Sequence, residues 1–348
     1  MKPYFLAFII AFLLLSCKKT DQEIPAEWVK ISENVQFKES QHAFDLKSGK
    51  FSYQISKSKL PLKKVMLLNA SLVGYFNELG LQDKIIGISS PEYVYSEKIH
   101  QLLGEGKIQN IGNEQKYDVE KIIALKPDAI FTNYIANFDN TYNLLKKNGI
   151  ELIFLDEYLE QDPLAKSKYL LLFGKLFAAE ENATLKFEEI RKNYESLKNS
   201  AQKSKTKPLI LANEIYGNQW FLPGGKTNFA RLVSDANANY INAENQDSRA
   251  IPMSFEEVFA KAENAEIWVN AGNHQSKKEL LQINPNYAKM NVFKYGRIYT
   301  VTGKEKGKSN DYFESGIVRA DLVLKDYIKI FHPELLPNDE LIYMKELK

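Results

Sequence analysis

Few side chains in this sequence have the types and spacing that catalysis or metal binding requires. Cys17 is the only cysteine among 348 residues, so the rest of the chain offers no disulfide and no thiolate nucleophile. The four histidines are far apart and none pairs with another at metal-ligand spacing; they are His42, His100, His274 and His332. The common motifs of serine hydrolases, phosphate-binding loops and zinc proteases are absent. We therefore expect no enzyme, no catalytic residues, no resident metal and no cofactor.

The N-terminus has the pattern of an export signal. Lys2 precedes an apolar run over residues 5–15, which is shorter than the ~20 residues needed to span a bilayer. The run ends in the letters LLSC at residues 14–17, which resemble the bacterial lipobox, where the cysteine sulfur takes a diacylglyceryl group. We expect residues 1–16 to be a lipoprotein signal peptide and Cys17 to be the lipid anchor. The membrane would then be contacted through lipid only, and the protein would lie in the cell envelope, most simply facing the periplasm.

Composition favours a folded, two-lobed protein. Forty-six basic and 44 acidic side chains leave a net charge of +2, which gives no reason to expect a nucleic-acid partner. A hydrophobic content of 44% and an aromatic content of 12% are enough for two sizeable cores in a chain of this length.

Hydrophobic periodicity places the elements of the first half. Residues 18–36 are polar and predict a tether, and the even spacing of apolar residues from Phe44 to Ile55 predicts a hairpin, so residues 17–63 form the anchor, tether and leading hairpin. Buried-strand runs then alternate with helical patterns over residues 64–164. This alternation predicts an N-terminal α/β lobe with a parallel sheet.

The second half repeats the alternation after a helical region. Apolar residues at steps of three and four predict a backbone helix region over residues 165–206, formed by one helix or by two with a break near Glu180. Strand runs at residues 209–212, 267–269 and 298–301, and a last helix over residues 316–330, predict a C-terminal α/β lobe over residues 207–348. The fold class is thus α/β, with two mainly parallel sheets joined by a backbone helix. Ligands of such sheets sit beyond the carboxyl ends of the strands, so the cleft between the lobes is the expected site.

Four segments carry a resemblance to a known family. They resemble the helical-backbone (class III) substrate-binding lipoproteins of bacterial ABC importers, in the branch that handles ferric siderophores, haem and cobalamin, and the last is similar to Bacteroidetes-like members. The resemblance covers residues 64–336. The segments are residues 118–130 (DVEKIIALKPDAI), 220–226 (WFLPGGK), 254–260 (SFEEVFA), and 310–316 with 331–335 (NDYFESG, FHPEL).

The resemblance implies a partner and two docking residues. In this family one glutamate on top of each lobe forms salt bridges with arginines of the permease, and the matching positions here are Glu120 and Glu256, with Glu257 as the neighbouring alternative. Both lie where a first helical turn is predicted, and a carboxylate there is compatible with the helix dipole. The expected partner is an ABC permease with its cytoplasmic ATPase.

Cleft residues are nominated from loops that follow predicted strands. Tyrosine and tryptophan offer flat faces to a macrocycle or catecholate ring, and an arginine can pair with an anionic oxygen. The nominated residues are Asn69, Ser71, Tyr93, Tyr95, Asn133, Tyr134, Tyr216, Trp220, Arg249, Asn273, His274, Asp311 and Tyr312.

The ligand class stays open at the level of sequence. The family implies a ferric siderophore, cobalamin or haem; relatives that bind cobalamin carry a tryptophan where this chain has Glu114 and Lys116, which weakens the transfer of that ligand. One alternative is a receptor of the same fold for a bare transition-metal ion. Another is an envelope hydrolase, which would require Asp311, His274 and Ser71 to converge.

Overall fold

The computed structural model describes residues 27–113 and 115–348. The predicted signal peptide, Cys17 and Glu114 lie outside these residues. Among the described helices, none is both long enough and apolar enough to cross a membrane.

A four-stranded antiparallel sheet opens the described chain. The predicted hairpin is present as its last two strands, which turn at Gly49, a residue with a φ of 53°. The tether prediction is wrong for its last residues, because Val35 is buried and pairs with Ser48. The two buried apolar residues of this stretch, Ile31 and Val35, are four positions apart in a polar background and gave no alternating signal. The strands are β1 (Val29–Lys30), β2 (Val35–Glu39), β3 (Ala43–Ser48) and β4 (Phe51–Ser56).

The N-terminal lobe contains a five-stranded parallel sheet of order β11-β10-β5-β6-β7. Its predicted strands and helices are all present, and Gly80 ends α1 in the left-handed conformation. The strands are β5 (Val65–Leu67), β6 (Ile85–Ile88), β7 (Gln109–Asn110), β8 (Gly112–Asn113), β9 (Lys116–Tyr117), β10 (Ala129–Thr132) and β11 (Glu151–Phe154); the helices are α1 (Val73–Leu79), α2 (Glu97–Gly104), α3 (Val119–Leu125) and α4 (Asp139–Lys147).

Two helices connect the lobes. α5 (Pro163–Phe177) and α6 (Glu180–Ala201) meet at Ala178, which adopts a left-handed conformation and ends α5. Of the two forms that the sequence allowed, the two-helix form is the one observed. α6 joins the two cores, because Phe187 packs in the N-terminal core and Tyr194 packs in the C-terminal core.

The C-terminal lobe has a five-stranded sheet of order β15-β12-β17-β18-β21, which is parallel except for its last strand. The helix predicted over residues 316–330 is broken at Arg319 into α11 and α12. The strands are β12 (Leu209–Ala212), β13 (Ile215–Tyr216), β14 (Gln219–Pro223), β15 (Asn239–Tyr240), β16 (Ala250–Met253), β17 (Ile267–Val269), β18 (Arg297–Thr300), β19 (Glu305–Lys306), β20 (Ser309–Asn310) and β21 (Lys345–Glu346); the helices are α7 (Asn228–Asp235), α8 (Phe255–Lys261), α9 (Lys277–Ile283), α10 (Asn291–Tyr295), α11 (Ser315–Val318) and α12 (Ala320–Phe331).

Candidate functional site

Polar side chains gather at the carboxyl ends of three neighbouring strands of the N-terminal lobe. Asn69, after β5, donates through Nδ2 to Asn133 Oδ1, after β10, at 2.7 Å. Ser71 Oγ donates to Glu157 Oε1, after β11, at 2.5 Å. The structure therefore brings together three of the nominated residues, and it adds Glu157 to them.

Glu157 is the most unusual group of this cluster. The residue is only 2% exposed, and burial raises the pKa of its carboxyl above the usual range, although the bond from Ser71 opposes the shift. Its Oε2 has no hydrogen-bond partner within residues 27–113 and 115–348. A buried carboxylate without full solvation is poised to change its protonation with its surroundings.

Tyr93 and Tyr95 lie on a loop of the N-terminal lobe that contacts the β19–β20 hairpin of the C-terminal lobe. Lys308 Nζ lies 5.6 Å from the ring centroid of Tyr93, and Lys306 Nζ lies 5.2 Å from that of Tyr95. The backbone N–H of Tyr95 donates to Glu314 Oε2 at 2.6 Å. These two tyrosines are thus at the boundary between the lobes, and Tyr93 is 51% exposed.

The C-terminal lobe presents its own side chains beyond β12 and β17. Tyr216 is 82% exposed, and Arg249 and Asn273 are also exposed. Burial raises the pKa of the Tyr158 hydroxyl, and the positive charge of Arg249 opposes that shift. Because Tyr158 belongs to the N-terminal lobe, the charge of Arg249 acts across the boundary between the lobes.

His274 is paired with a residue that sequence reasoning missed. Its Nε2 lies 2.7 Å from Glu214 Oε2, in the loop after β12. This pair supplies two possible metal ligands, and in the described part of the chain no group of three or more histidine, cysteine or carboxylate side chains could hold an ion. The geometry therefore adds no support to the bare-metal alternative.

The hydrolase alternative required three residues to converge. In the structure Ser71 bonds to Glu157, His274 to Glu214, and Asp311 to Lys304 Nζ at 3.1 Å. No bond joins any two of the three in the described chain. Each of the three residues lies in a separate local network, so the structure gives the hydrolase alternative no support.

Trp220 is a core residue, and its assignment to the cleft is wrong. The side chain is fully buried, its Nε1 donates to Ala212 O at 2.9 Å, and its ring lies 5.5 Å from that of Trp268.

Tyr312 is half-buried, and burial raises the pKa of its hydroxyl. Tyr134 packs against Phe51 at 5.1 Å, with Lys50 Nζ 4.1 Å from its ring centroid.

The two docking candidates are equivalent in local structure. Asp118 caps α3 by accepting from Lys121 N, and Ser254 caps α8 by accepting from Glu257 N, so Glu120 and Glu256 each lie exposed in a first turn. Neither carboxylate has a hydrogen bond or ion pair with a described residue. Glu257 differs, because its Oε2 accepts from Ser254 N at 2.7 Å. Because the Glu257 carboxylate already accepts this bond, Glu256 is the better candidate for pairing with a permease arginine.

Sequence reasoning missed Glu157, Tyr158, Glu214, Lys304 and Lys308. The first three follow β11 and β12 directly, so the strand-end rule that nominated Asn69 applied to them as well. The lysines gave no such signal, because they lie on a short hairpin whose position depends on the packing of the other lobe.

Three comparisons agree with this architecture. An uncharacterized lipoprotein of Methanocaldococcus jannaschii is 25% identical over 284 residues, which cover 79% of this chain and 66% of the relative. A periplasmic heme-binding protein from Pseudomonas aeruginosa superposes with a TM-score of 0.60 at 16% identity, covering 82% of this chain and 98% of the other. A siderophore-binding protein, solved with two acinetobactin molecules and ferric iron, superposes with a TM-score of 0.58 at 17% identity. The match covers 83% of this chain and 99% of the other. At these identities the two structures establish a shared fold.

The strongest finding concerns the family. A model described as "periplasmic binding protein" matches residues 65–305, which include the N-terminal sheet, the helices between the lobes and the C-terminal lobe as far as β19. The chain therefore belongs to the periplasmic binding protein family.

Proposed function

We propose that the protein is the lipid-anchored substrate-binding component of an ABC importer, which captures a metal chelate between its lobes and delivers it to the permease. The chelate is a ferric siderophore, haem or a cobalamin-like molecule. The observation that carries the proposal is the set of exposed tyrosine rings and cationic side chains on strand-end loops of both lobes.

These side chains suit a bulky chelate with flat apolar faces and anionic oxygens. Tyr158, in the N-terminal lobe, is 54% exposed, and Tyr216, in the C-terminal lobe, is 82% exposed. An exposed aromatic ring costs little conformational entropy when it stacks on a ligand, and its hydroxyl keeps a polar edge in water. Arg249 and Lys308 add charges that can pair with carboxylate or catecholate oxygens.

The relatives support the same class of ligand and the anchor. The two solved proteins bind heme and a ferric acinetobactin complex, and the relative from Methanocaldococcus jannaschii is named a lipoprotein. Cys17 is the residue that would carry the lipid. We retain a receptor for a bare metal ion as the alternative function.

The ligand assignment is tested by calorimetric titration of the full-length protein in detergent with haem, cobalamin and ferric siderophores. We expect one chelate to bind saturably, and Tyr216→Ala to weaken that binding roughly tenfold through the loss of a stacked ring. The matched control is Tyr295→Ala, because Tyr295 is 84% exposed but precedes β18 and so lies at the opposite edge of its sheet. No binding to any chelate, with tight binding of zinc, would favour the bare-metal alternative.

The docking assignment is tested separately by transport. Replacing Glu120 and Glu256 together with arginine should abolish uptake and leave chelate affinity unchanged, because like charges would then face the arginines of the permease. The matched control is Glu181→Arg, an exposed residue in the first turn of α6. A loss of chelate affinity in the double variant would place these glutamates in the cleft and contradict the docking role.

A further inference from the structure

A histidine–glutamate pair lies at the carboxyl edge of the C-terminal sheet. Glu214 follows β12, His274 follows β17, and His274 Nε2 lies 2.7 Å from Glu214 Oε2. Both side chains are partly accessible, with 16% of His274 and 24% of Glu214 exposed. The pair therefore lies at the edge where ligands of parallel sheets bind, and solvent reaches it.

Buried aromatic residues hold the backbone on both sides of Glu214. Trp268 Nε1 donates to the carbonyl oxygen of Asn213 at 2.6 Å, and the backbone N–H of Ile215 donates to the Tyr287 hydroxyl at 2.9 Å. Trp268 and Tyr287 are themselves fully buried in the C-terminal core. The position of Glu214 is thus set by the core of the lobe.

Gly272 leaves the space that the pair occupies. This residue has a φ of 68°, and a Cβ built on it would lie 2.0 Å from Glu214 Oε1 and 2.9 Å from His274 Nε2. Both distances are shorter than those that Cβ atoms adopt in proteins. The pair has this geometry because position 272 has no side chain.

The bond to Glu214 leaves the other ring nitrogen of His274 available. A carboxylate oxygen only accepts, so Nε2 carries the proton and Nδ1 of the neutral ring has a free electron pair. Within residues 27–113 and 115–348, Nδ1 has no hydrogen bond. A histidine that donates one ring N–H to a carboxylate and presents the other nitrogen is the common arrangement of a metal-binding histidine.

We propose that His274 Nδ1 coordinates the metal of the captured chelate, and that Glu214 is the positioning residue that orients the ring. Among the described residues no group of three or more histidine, cysteine or carboxylate side chains could hold a bare ion, so the other ligands come from the chelate. Nδ1 displaces a water molecule or another weak ligand, and the oxidation state of the metal does not change.

This inference rests on the proposed function and narrows its ligand. The chelate must leave a coordination position of its metal open. Haem does so, whereas a siderophore that fills every position of ferric iron does not.

The test compares haem with metal-free protoporphyrin, which has the same flat ring and the same carboxylates but no metal. Absorption titrations use the full-length protein in a single detergent. His274→Gln keeps a donor for Glu214 and removes the coordinating nitrogen. We expect this variant to bind haem at least roughly tenfold more weakly, with a changed haem spectrum, and to bind metal-free protoporphyrin as the wild-type protein does. The matched control is His42→Gln, because His42 is an exposed histidine of the leading sheet.

Two ferric complexes extend the test to cargo other than porphyrins. Ferric nitrilotriacetate leaves coordination positions open, and ferric ferrioxamine leaves none. If haem does not bind, we expect the wild-type protein to bind ferric nitrilotriacetate and His274→Gln to lose that binding. Binding of ferrioxamine alone would overturn the inference and leave the proposed function standing, whereas binding of no chelate would overturn both.

A spectroscopic measurement on the wild-type protein keeps the test decisive if His274→Gln does not fold. With isotopically labelled histidine, we expect hyperfine coupling between the label and the bound ferric ion. The absence of that coupling would overturn the inference. Equal haem affinity and an unchanged spectrum in His274→Gln would also overturn it, and so would an equal loss of both porphyrins, because His274 would then only shape the cleft.

Discussion

Glu314 connects the lobes through a buried carboxylate, and its protonation should control part of the stability of the protein. The residue precedes α11 in the C-terminal lobe and is 2% exposed. Its Oε1 accepts from Asn77 Nδ2 at 2.8 Å, and its Oε2 accepts from Tyr95 N at 2.6 Å, both in the N-terminal lobe. Burial raises the pKa of this carboxyl from 4.5 to about 7, against the opposing effect of the Tyr95 bond.

The sign and size of the effect follow from linkage. The folded state binds the proton more tightly than the unfolded state, so the contribution is complete below pH 4.5 and is lost as the pH rises through about 7. A shift of this size corresponds to about 3 kcal/mol, of which roughly 2 to 3 kcal/mol falls between pH 5 and 8. Burial also raises the pKa of Asp326, to about 6, which adds a pH dependence of the same sign. The informative quantity is therefore the difference between the wild-type protein and Glu314→Gln.

The assay is urea unfolding of the wild-type protein and Glu314→Gln at four pH values from about 5 to 8. We expect the wild-type protein to lose roughly 2 to 3 kcal/mol more unfolding free energy than the variant over this range. Glu181→Gln, which changes an exposed carboxylate in α6, should follow the wild-type curve. Parallel pH curves for the wild-type protein and Glu314→Gln would refute the reasoning, because the buried carboxylate would then contribute no linked proton.

Two further predictions concern packing. Gly74→Ala should destabilise the protein by about 1 to 3 kcal/mol, because its Cβ would lie 2.3 Å from the backbone oxygen of Glu314, whereas Gly104→Ala, which has open space, should not; urea unfolding measures both. Trp220→Ala should cost about 3 to 5 kcal/mol of unfolding free energy by leaving a cavity in the core, whereas the exposed Tyr216→Ala should leave stability nearly unchanged; equal effects would contradict the core assignment of Trp220.

Local signals in the sequence were sufficient for most elements of both lobes. The strand and helix patterns around Gly80 and Asp118 correspond to α1 and α3, whose ends are set by a left-handed glycine and an accepting cap. These features depend on neighbours within a few residues, so they are readable without a structure. The strand-end rule likewise placed Asn69, Ser71 and Asn133 in one cluster, because parallel strands expose their carboxyl ends at a common edge.

The sequence by itself determined the α/β class, the two lobes and the sheet edge at which Asn69, Ser71 and Asn133 gather, because periodicity and capping are local properties of the chain. Only the tertiary structure decided which side chains are buried and which are paired. Trp220 is buried because Trp268 packs against it, and Tyr95 meets Glu314 across 219 residues of sequence. Burial, pairing and pKa depend on atoms that are distant in sequence and close in space, and no local pattern encodes those distances.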